Sequence, residues 1–139
     1  MNPDATVGIV LVSHSAALAE GAAELASQVT GGTVAVVPAG GTDDGGLGTS
    51  AAKVRHAVKR ADRGAGVLIV PDLGSAVLTV RALLADPDEL AGSGLAGPVE
   101  LADAPFVEGV VAATVTAAGG ADIEAVRGAA EEAWHARKL

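Results

Sequence analysis

The sequence predicts an α/β fold: a doubly wound open sheet, mostly parallel, with strand order 2-1-3-4 and helices on both faces. Three observations predict it. Short continuous runs of β-branched and aliphatic residues alternate with longer segments of helical period, in the order β-α-β-α-β-α-β-α-α. Glycine, proline, serine and aspartate punctuate the changes. Strands separated by helices require parallel, right-handed crossovers, and the commonest small arrangement sets the first and third strands side by side, ~4.8 Å apart. The carboxyl ends of those two strands then bound a crevice, where open α/β sheets bind their ligands.

The first strand, Val7 to Val12, is nearly all apolar and runs straight into Ser13-His14-Ser15. A helical pattern begins at once, with Leu18, Ala22, Leu25 and Val29 as its apolar positions. Thr33 to Val37 is the second strand, opened by Gly31-Gly32 and stopped by Pro38. Ala39 to Gly48, with glycines around Asp43 and Asp44, is too glycine-rich for a packed element and is expected to move. Thr49 or Ser50 caps a second helix reaching about Arg63. Ala51, Val54, Val58 and Ala61 form its inner stripe; Lys53, His56, Lys59, Arg60 and Arg63 form a solvated face, which makes His56 a surface residue.

Gly66 to Val70 is a third strand, continuous and apolar as a strand buried on both faces should be, and Pro71 ends it. Asp72-Leu73-Gly74-Ser75 makes the turn into a helix from Ala76 to about Ala85, with Ser75 as its natural N-cap. Asp86 to Gly97, with Pro87, Gly92, Gly94 and Gly97, reads as a long connection, and Pro98 to Leu101 as a short strand near an edge. Pro105 suits the first turn of a fourth helix, Pro105 to Ala118, which is apolar or small nearly all round. Asp122 caps a last helix with Ile123, Val126, Ala130 and Trp134 on one side and His135 at the surface.

Composition narrows the function. The 139 residues fit one domain, 1–139. Half are hydrophobic but only 1% aromatic, so the core must be built from Val, Leu, Ile and Ala in closely approaching elements. A formal net charge of −8 argues against nucleic acid, whose binding depends on Lys and Arg neutralising phosphates. Without cysteine there is neither a disulfide framework nor thiolate chemistry. Met1-Asn2-Pro3-Asp4 has no basic n-region, and the longest uncharged run, Leu25 to Thr42, is broken by glycines and Pro38. No signal peptide and no membrane span are expected, and the location expected is cytoplasmic. No metal cluster or cofactor is expected either.

The chemistry centres on the crevice. One strand end delivers Ser13-His14-Ser15 and its neighbour delivers Asp72-Leu73-Gly74-Ser75. A carboxylate on one imidazole nitrogen fixes the tautomer and leaves the other nitrogen's lone pair pointing outward, so His14 becomes an oriented nucleophile. Two helix N-termini with Gly74, Ser13, Ser15 and Ser75 supply donors suited to phosphoryl oxygens, and phosphoryl transfer asks mainly for positioning and charge stabilisation. The plainer alternatives are a loop histidine between two serines, an Asx-turn acid at Asp72 and a simple cap at Ser75.

The motifs GIVLVSHS followed by LAEG, GTDDGGLGTSA, VPDLGSA and DAPFVEGVVAATVTAAGGADIEAV resemble the DhaM family over nearly the whole chain. These are the phosphocarrier subunits of phosphoenolpyruvate-dependent dihydroxyacetone kinase, related to mannose-type EIIA domains. The resemblance implies that His14 accepts a phosphoryl group from phospho-HPr and passes it to ADP held on DhaL, while dihydroxyacetone is bound and phosphorylated on DhaK and DhaL. It implies Asp72 as the orienting partner and Ser75 as a neighbour of the phosphoryl group. Some members carry HPr-like and enzyme-I-like domains after this one; none is present here, so a separate donor protein is expected.

Three rivals bear on the same residues. A mannose-type sugar EIIA shares the fold and the histidine, but its turn is expected to be longer and glycine-doubled. A receiver domain would phosphorylate the aspartate at Asp72, yet it needs an acidic pair after the first strand, where Ser13-His14-Ser15 stands. Gly46-Leu47-Gly48-Thr49-Ser50-Ala51 fits a dinucleotide-binding pattern only weakly, since it does not follow directly on a strand. A homodimer on Pro105 to Ala118 and the fourth strand is also expected, because so apolar a helix exceeds what one sheet face can cover. The alternative is that the last helix folds back over it.

Overall fold

The computed structural model describes residues 5–91 and 94–139. The N-terminal Met1-Asn2-Pro3-Asp4 and Gly92 of the long connection lie outside the described residues. The elements are β1 (Gly8–Ser13), α1 (Ala16–Val29), β2 (Val36–Gly40), α2 (Ala51–Ala61), β3 (Val67–Pro71), α3 (Gly74–Ala85), α4 (Pro87–Ala91), β4 (Val99–Leu101), α5 (Phe106–Ala118) and α6 (Ile123–Glu132). A 3-10 turn, Ala133–His135, follows. The strands form one parallel sheet in the order β2-β1-β3-β4, as the sequence predicts. The short helix α4 stands inside what reads from sequence as plain connection. No helix among the described residues is long and apolar enough to cross a membrane.

The period-two alternation of β1 divides the core into two layers. Val7, Ile9 and Leu11 point to the face covered by α1, α5 and α6, where Ala22, Ala26, Val110, Ala113, Ala117, Val126 and Ala130 meet them. Val10 and Val12 point to the opposite face and pack with Val54, Val58, Val80 and Leu83 from α2 and α3. Both layers consist of Val, Leu, Ile and Ala, as the near absence of aromatic residues requires.

The second strand lies three residues further on than its composition suggests and runs through Pro38. The amide of Ile9 donates to Ala35 O and that of Gly41 donates to Ser13 O. Alternate residues of a parallel strand face the same neighbour, so the missing N–H of Pro38 falls on the free edge of the sheet, where it leaves no gap in the ladder. Pro71 likewise closes β3 as its last residue instead of lying beyond it.

Helix faces differ in three places. In α1 the buried positions are Ala19, Ala22, Ala23 and Ala26, while Leu18, Leu25 and Val29 stand about half exposed. Close approach decides this: a Cβ placed on Gly40 would lie 2.5 Å from Ser15 O and 2.9 Å from the Ala19 Cβ, so only small side chains fit between α1 and the end of β2. In α2 the inner face holds Ala57, and Ala51 is exposed in the first turn. Trp134 leaves the helical face in the 3-10 turn and is largely exposed, its indole N–H donating to Asp103 O.

Helix α6 is capped by Asp122, whose carboxylate accepts from Ala125 N at 2.9 Å, and it packs against α5 through Val126 and Ala130. It covers one side of α5. Val107 and Val115 remain exposed, with Val111 half-buried between them, and Val107 and Val111 line an open groove with Ala129 and Ala133.

Candidate active site

The site forms where β1 and β3, hydrogen-bonded neighbours, deliver their following turns side by side. On the β1 side, Ser15 N-caps α1 and accepts from Leu18 N at 3.2 Å, which fixes the turn holding His14. On the β3 side, α3 begins at Gly74, two residues earlier than the sequence suggests, with Leu73 as an N-cap that makes no side-chain hydrogen bond. Ser75 is therefore not the cap. Its hydroxyl, freed from the backbone, meets Nε2 of His14.

Asp72 is the hub. Oδ1 accepts from the His14 ring at Nδ1 (2.9 Å) and from Leu73 N (2.7 Å). Oδ2 accepts from Ser13 Oγ (2.8 Å) and from His14 N (3.1 Å). Burial pushes the Asp72 carboxyl up, but the hydrogen bonds from Ser13, the His14 ring and the His14 and Leu73 amides outweigh it and hold its pKa below the ordinary value. An ionised carboxylate only accepts, so the proton on this edge of the ring belongs to Nδ1 and the Nε2 lone pair faces Ser75 and the open side. The His14 side chain is 23% exposed and that of Asp72 8%: the acid is shielded and the ring can be reached.

The glycine-rich segment between β2 and α2 is fastened to this turn at both ends. Gly41 N donates to Ser13 O at 3.1 Å and Gly48 N donates to His14 O at 3.0 Å. Gly48 has φ +138, a region open to glycine, and a Cβ there would lie 2.8 Å from Thr42 Cγ2. These two backbone donors escape sequence reasoning. The concentration of glycine after the second strand signals a special backbone without saying which carbonyls it serves.

A cavity of about 410 Å³ opens beside Asp72 and Leu73, between the starts of α3 and α5, with Arg81, Phe106, Arg127 and Trp134 on its walls. Arg127 is engaged there by Glu100 (3.1 Å) and Glu131 (3.4 Å). His56 and His135 are exposed and stand apart from the crevice, on α2 and on the terminal turn.

With this geometry in hand, comparison with known proteins places the chain. Residues 8–127 match the EIIA-man family, described as the PTS system fructose IIA component. The chain is 42% identical over 123 residues to the PEP-dependent dihydroxyacetone kinase, phosphoryl donor subunit DhaM, of Escherichia coli, covering 86% of this chain and 25% of that protein. It is 37% identical over 109 residues to PEP-dependent dihydroxyacetone kinase 2, phosphoryl donor subunit DhaM, of Listeria innocua, covering 78% of this chain and 84% of that one. The chain belongs to the DhaM branch of the EIIA-man family. It spans about a quarter of the length of the Escherichia coli relative and most of the Listeria innocua one. A crystal structure of an unknown function protein, EF1359, has the same fold, with a TM-score of 0.74 and 33% identity over 91% of this chain and 93% of that one.

Within this DhaM-type chain the residues singled out from sequence fall into two groups. His14, Asp72 and Ser75 stand in one line, and Gly74 opens the helix beside them. Ser13 does not face the open side. Its side chain is fully buried, and its hydroxyl lies between Asp72 Oδ2 and the Ser15 amide (3.0 Å), so it has no place among groups touching a phosphoryl oxygen. The expectation for Ser13 is corrected on that ground: it ends a buried strand whose alternation turns it inward. Ser15 lies at the rim, with its oxygen capping α1 and its hydroxyl proton free to donate.

Proposed function

We propose that the chain is a cytoplasmic phosphohistidine carrier that takes a phosphoryl group from phospho-HPr on Nε2 of His14 and passes it to ADP bound on DhaL, driving phosphorylation of dihydroxyacetone with DhaK. One observation carries the reading: the line Asp72–His14–Ser75, with an ionised carboxylate on Nδ1 and a reachable lone pair on Nε2. The Nε2 lone pair attacks phosphorus, the N–P bond forms, and the bond to the donor's nitrogen breaks. The ring gains positive charge in that step, and the Asp72 carboxylate opposite Nδ1–H stabilises it without taking the proton. Passing the group to ADP reverses these events, with the new P–O bond forming as N–P breaks.

Ser75, the amides of Gly74 and Ser75 at the start of α3, and the Ser15 hydroxyl are the groups disposed to receive the phosphoryl oxygens. The family relationship supports the dihydroxyacetone route, because relatives named as phosphoryl donor subunits of dihydroxyacetone kinase match most of this chain. The match to a family described as a sugar-system IIA component keeps a mannose-type sugar EIIA as the competing reading. Labelled phosphoenolpyruvate with enzyme I and HPr should load the chain, and the label should then reach ADP on DhaL. Label reaching only a mannose-type EIIB would overturn the dihydroxyacetone route in favour of the sugar one.

The same reading includes a homodimer through the exposed ridge of α5, Val107, Val111 and Val115, with β4 nearby. The support is that Val107 and Val115 stay exposed although α6 packs on the same helix, and that the groove Val107 and Val111 share with Ala129 and Ala133 is open. Valines fully buried across a two-fold axis contribute roughly 1.5–3 kcal/mol each.

A further inference from the structure

We infer that Ser13 is a positioning residue whose buried hydroxyl pins the carboxylate of Asp72, so that Asp72 holds the His14 ring with Nε2 unprotonated. The geometry stands by itself; its consequence for transfer rests on the phosphohistidine reading. Ser13 and Thr114 are the buried polar side chains in the described core. The Thr114 hydroxyl donates to Val110 O one turn back in its own helix, a common way for a helical threonine to satisfy itself. Ser13 instead reaches out of its strand to the end of the neighbouring one.

A buried hydroxyl costs stability unless it is bonded, and both of this one's roles are filled. It donates to Asp72 Oδ2 at 2.8 Å and accepts from Ser15 N at 3.0 Å. Of the four donors on Asp72, two belong to His14, the group being positioned, and one is the amide of Leu73, next in the chain to Asp72 itself. The fourth comes from a side chain rooted in the sheet. The terminal torsion of an aspartate is soft and needs such an anchor. With Oδ2 tied to Ser13, Oδ1 is left 2.9 Å from Nδ1 of His14. Without the hydroxyl the carboxylate can turn, Nδ1–H loses its fixed acceptor, and the tautomer with the proton on Nε2, useless to a nucleophile, gains population.

The test is nitrogen-15 NMR of labelled His14 in the unphosphorylated full chain, comparing wild type with Ser13→Ala and Ser13→Cys. The cysteine keeps the shape and offers only a weak donor. Wild type should hold mainly the Nδ1–H tautomer; Ser13→Ala should shift to a mixture, with Ser13→Cys between. Phosphorylation of Ser13→Ala by phospho-HPr should slow by about ten- to a hundredfold in kcat, the scale of one hydrogen bond to a charged group, with KM for phospho-HPr unchanged. A wild-type tautomer ratio in both variants would overturn the inference, as would a fall in kcat with the ratio unmoved, since a merely structural role produces that pattern. If Ser13→Ala fails to fold, the Ser13→Cys ratio decides. The tautomer is read without any donor, so a wild-type chain that never accepts phosphate would sink the carrier reading and leave this result standing.

Discussion

The crevice at the ends of β1 and β3 and the ridge of α5 are built on opposite terms. In the crevice, side chains that would be costly to bury are present and their polar atoms are matched: Asp72 has four donors, Ser13 is filled in both directions, and the His14 carbonyl is held by Gly48. On the ridge, side chains that would be stabilising to bury are left exposed, with Val107 and Val115 uncovered although α6 packs on the same helix. A saturated polar cluster is specific to one geometry and breaks when one atom changes. A surplus of apolar area is tolerant of detail and is lost only to a charge or a large change of shape. The two regions should therefore respond to mutation in different ways.

The largest expected contrast is between histidines. His14→Ala should abolish acid-labile phosphoryl labelling with the fold retained, whereas His56→Ala, on the exposed face of α2, should label at the wild-type rate. Asp72→Asn should leave the fold and slow phosphorylation by orders of magnitude, because an amide can present a donor where Nδ1–H needs an acceptor. The same variant sharpens the comparison through acid unfolding. The folded pKa of Asp72 is depressed, so its stabilisation is present above the unfolded carboxyl value of about 4 and is lost as pH falls through the lower folded value. Stability of Asp72→Asn should therefore vary less with pH on that acid side than wild type does.

Val115→Glu tests the other region. It should convert a dimer to a monomer in light scattering at micromolar concentration and leave His14 labelling intact, since no hydrogen bond or ion pair joins the crevice to the ridge among the described residues. A wild-type monomer at that concentration would remove the dimer. The smallest effect belongs to neither region: Asp122→Ala removes the N-cap of α6 and should lower stability by about 1 kcal/mol in a denaturant titration, with labelling unchanged.

Much of this was legible in the chain itself. The parallel sheet follows from the alternation of strands and helices and its order from the commonest small arrangement of such crossovers, and His14 and Asp72 come together because β1 and β3 are neighbours in that order. What was not legible depended on contacts between elements. Pro38 reads as a stop unless one knows that its N–H position faces a free edge. Leu18 and Leu25 read as core until the closeness of Gly40 to α1 gives that face to alanines. Ser75 reads as a cap until α3 starts early, and Ser13 reads as one more donor at the strand end until the pleat turns it inward beneath Asp72. In each case the residue type was informative and the direction of its side chain was not.

The most direct measurement of the central claim is NMR of the phosphorylated full chain, with nitrogen-15 and phosphorus-31 read together to locate the bond. A phosphoryl group on Nε2 of His14, with Nδ1 still protonated toward Asp72, is the result expected. A phosphoryl group on Nδ1, or an acyl phosphate on Asp72, would contradict it.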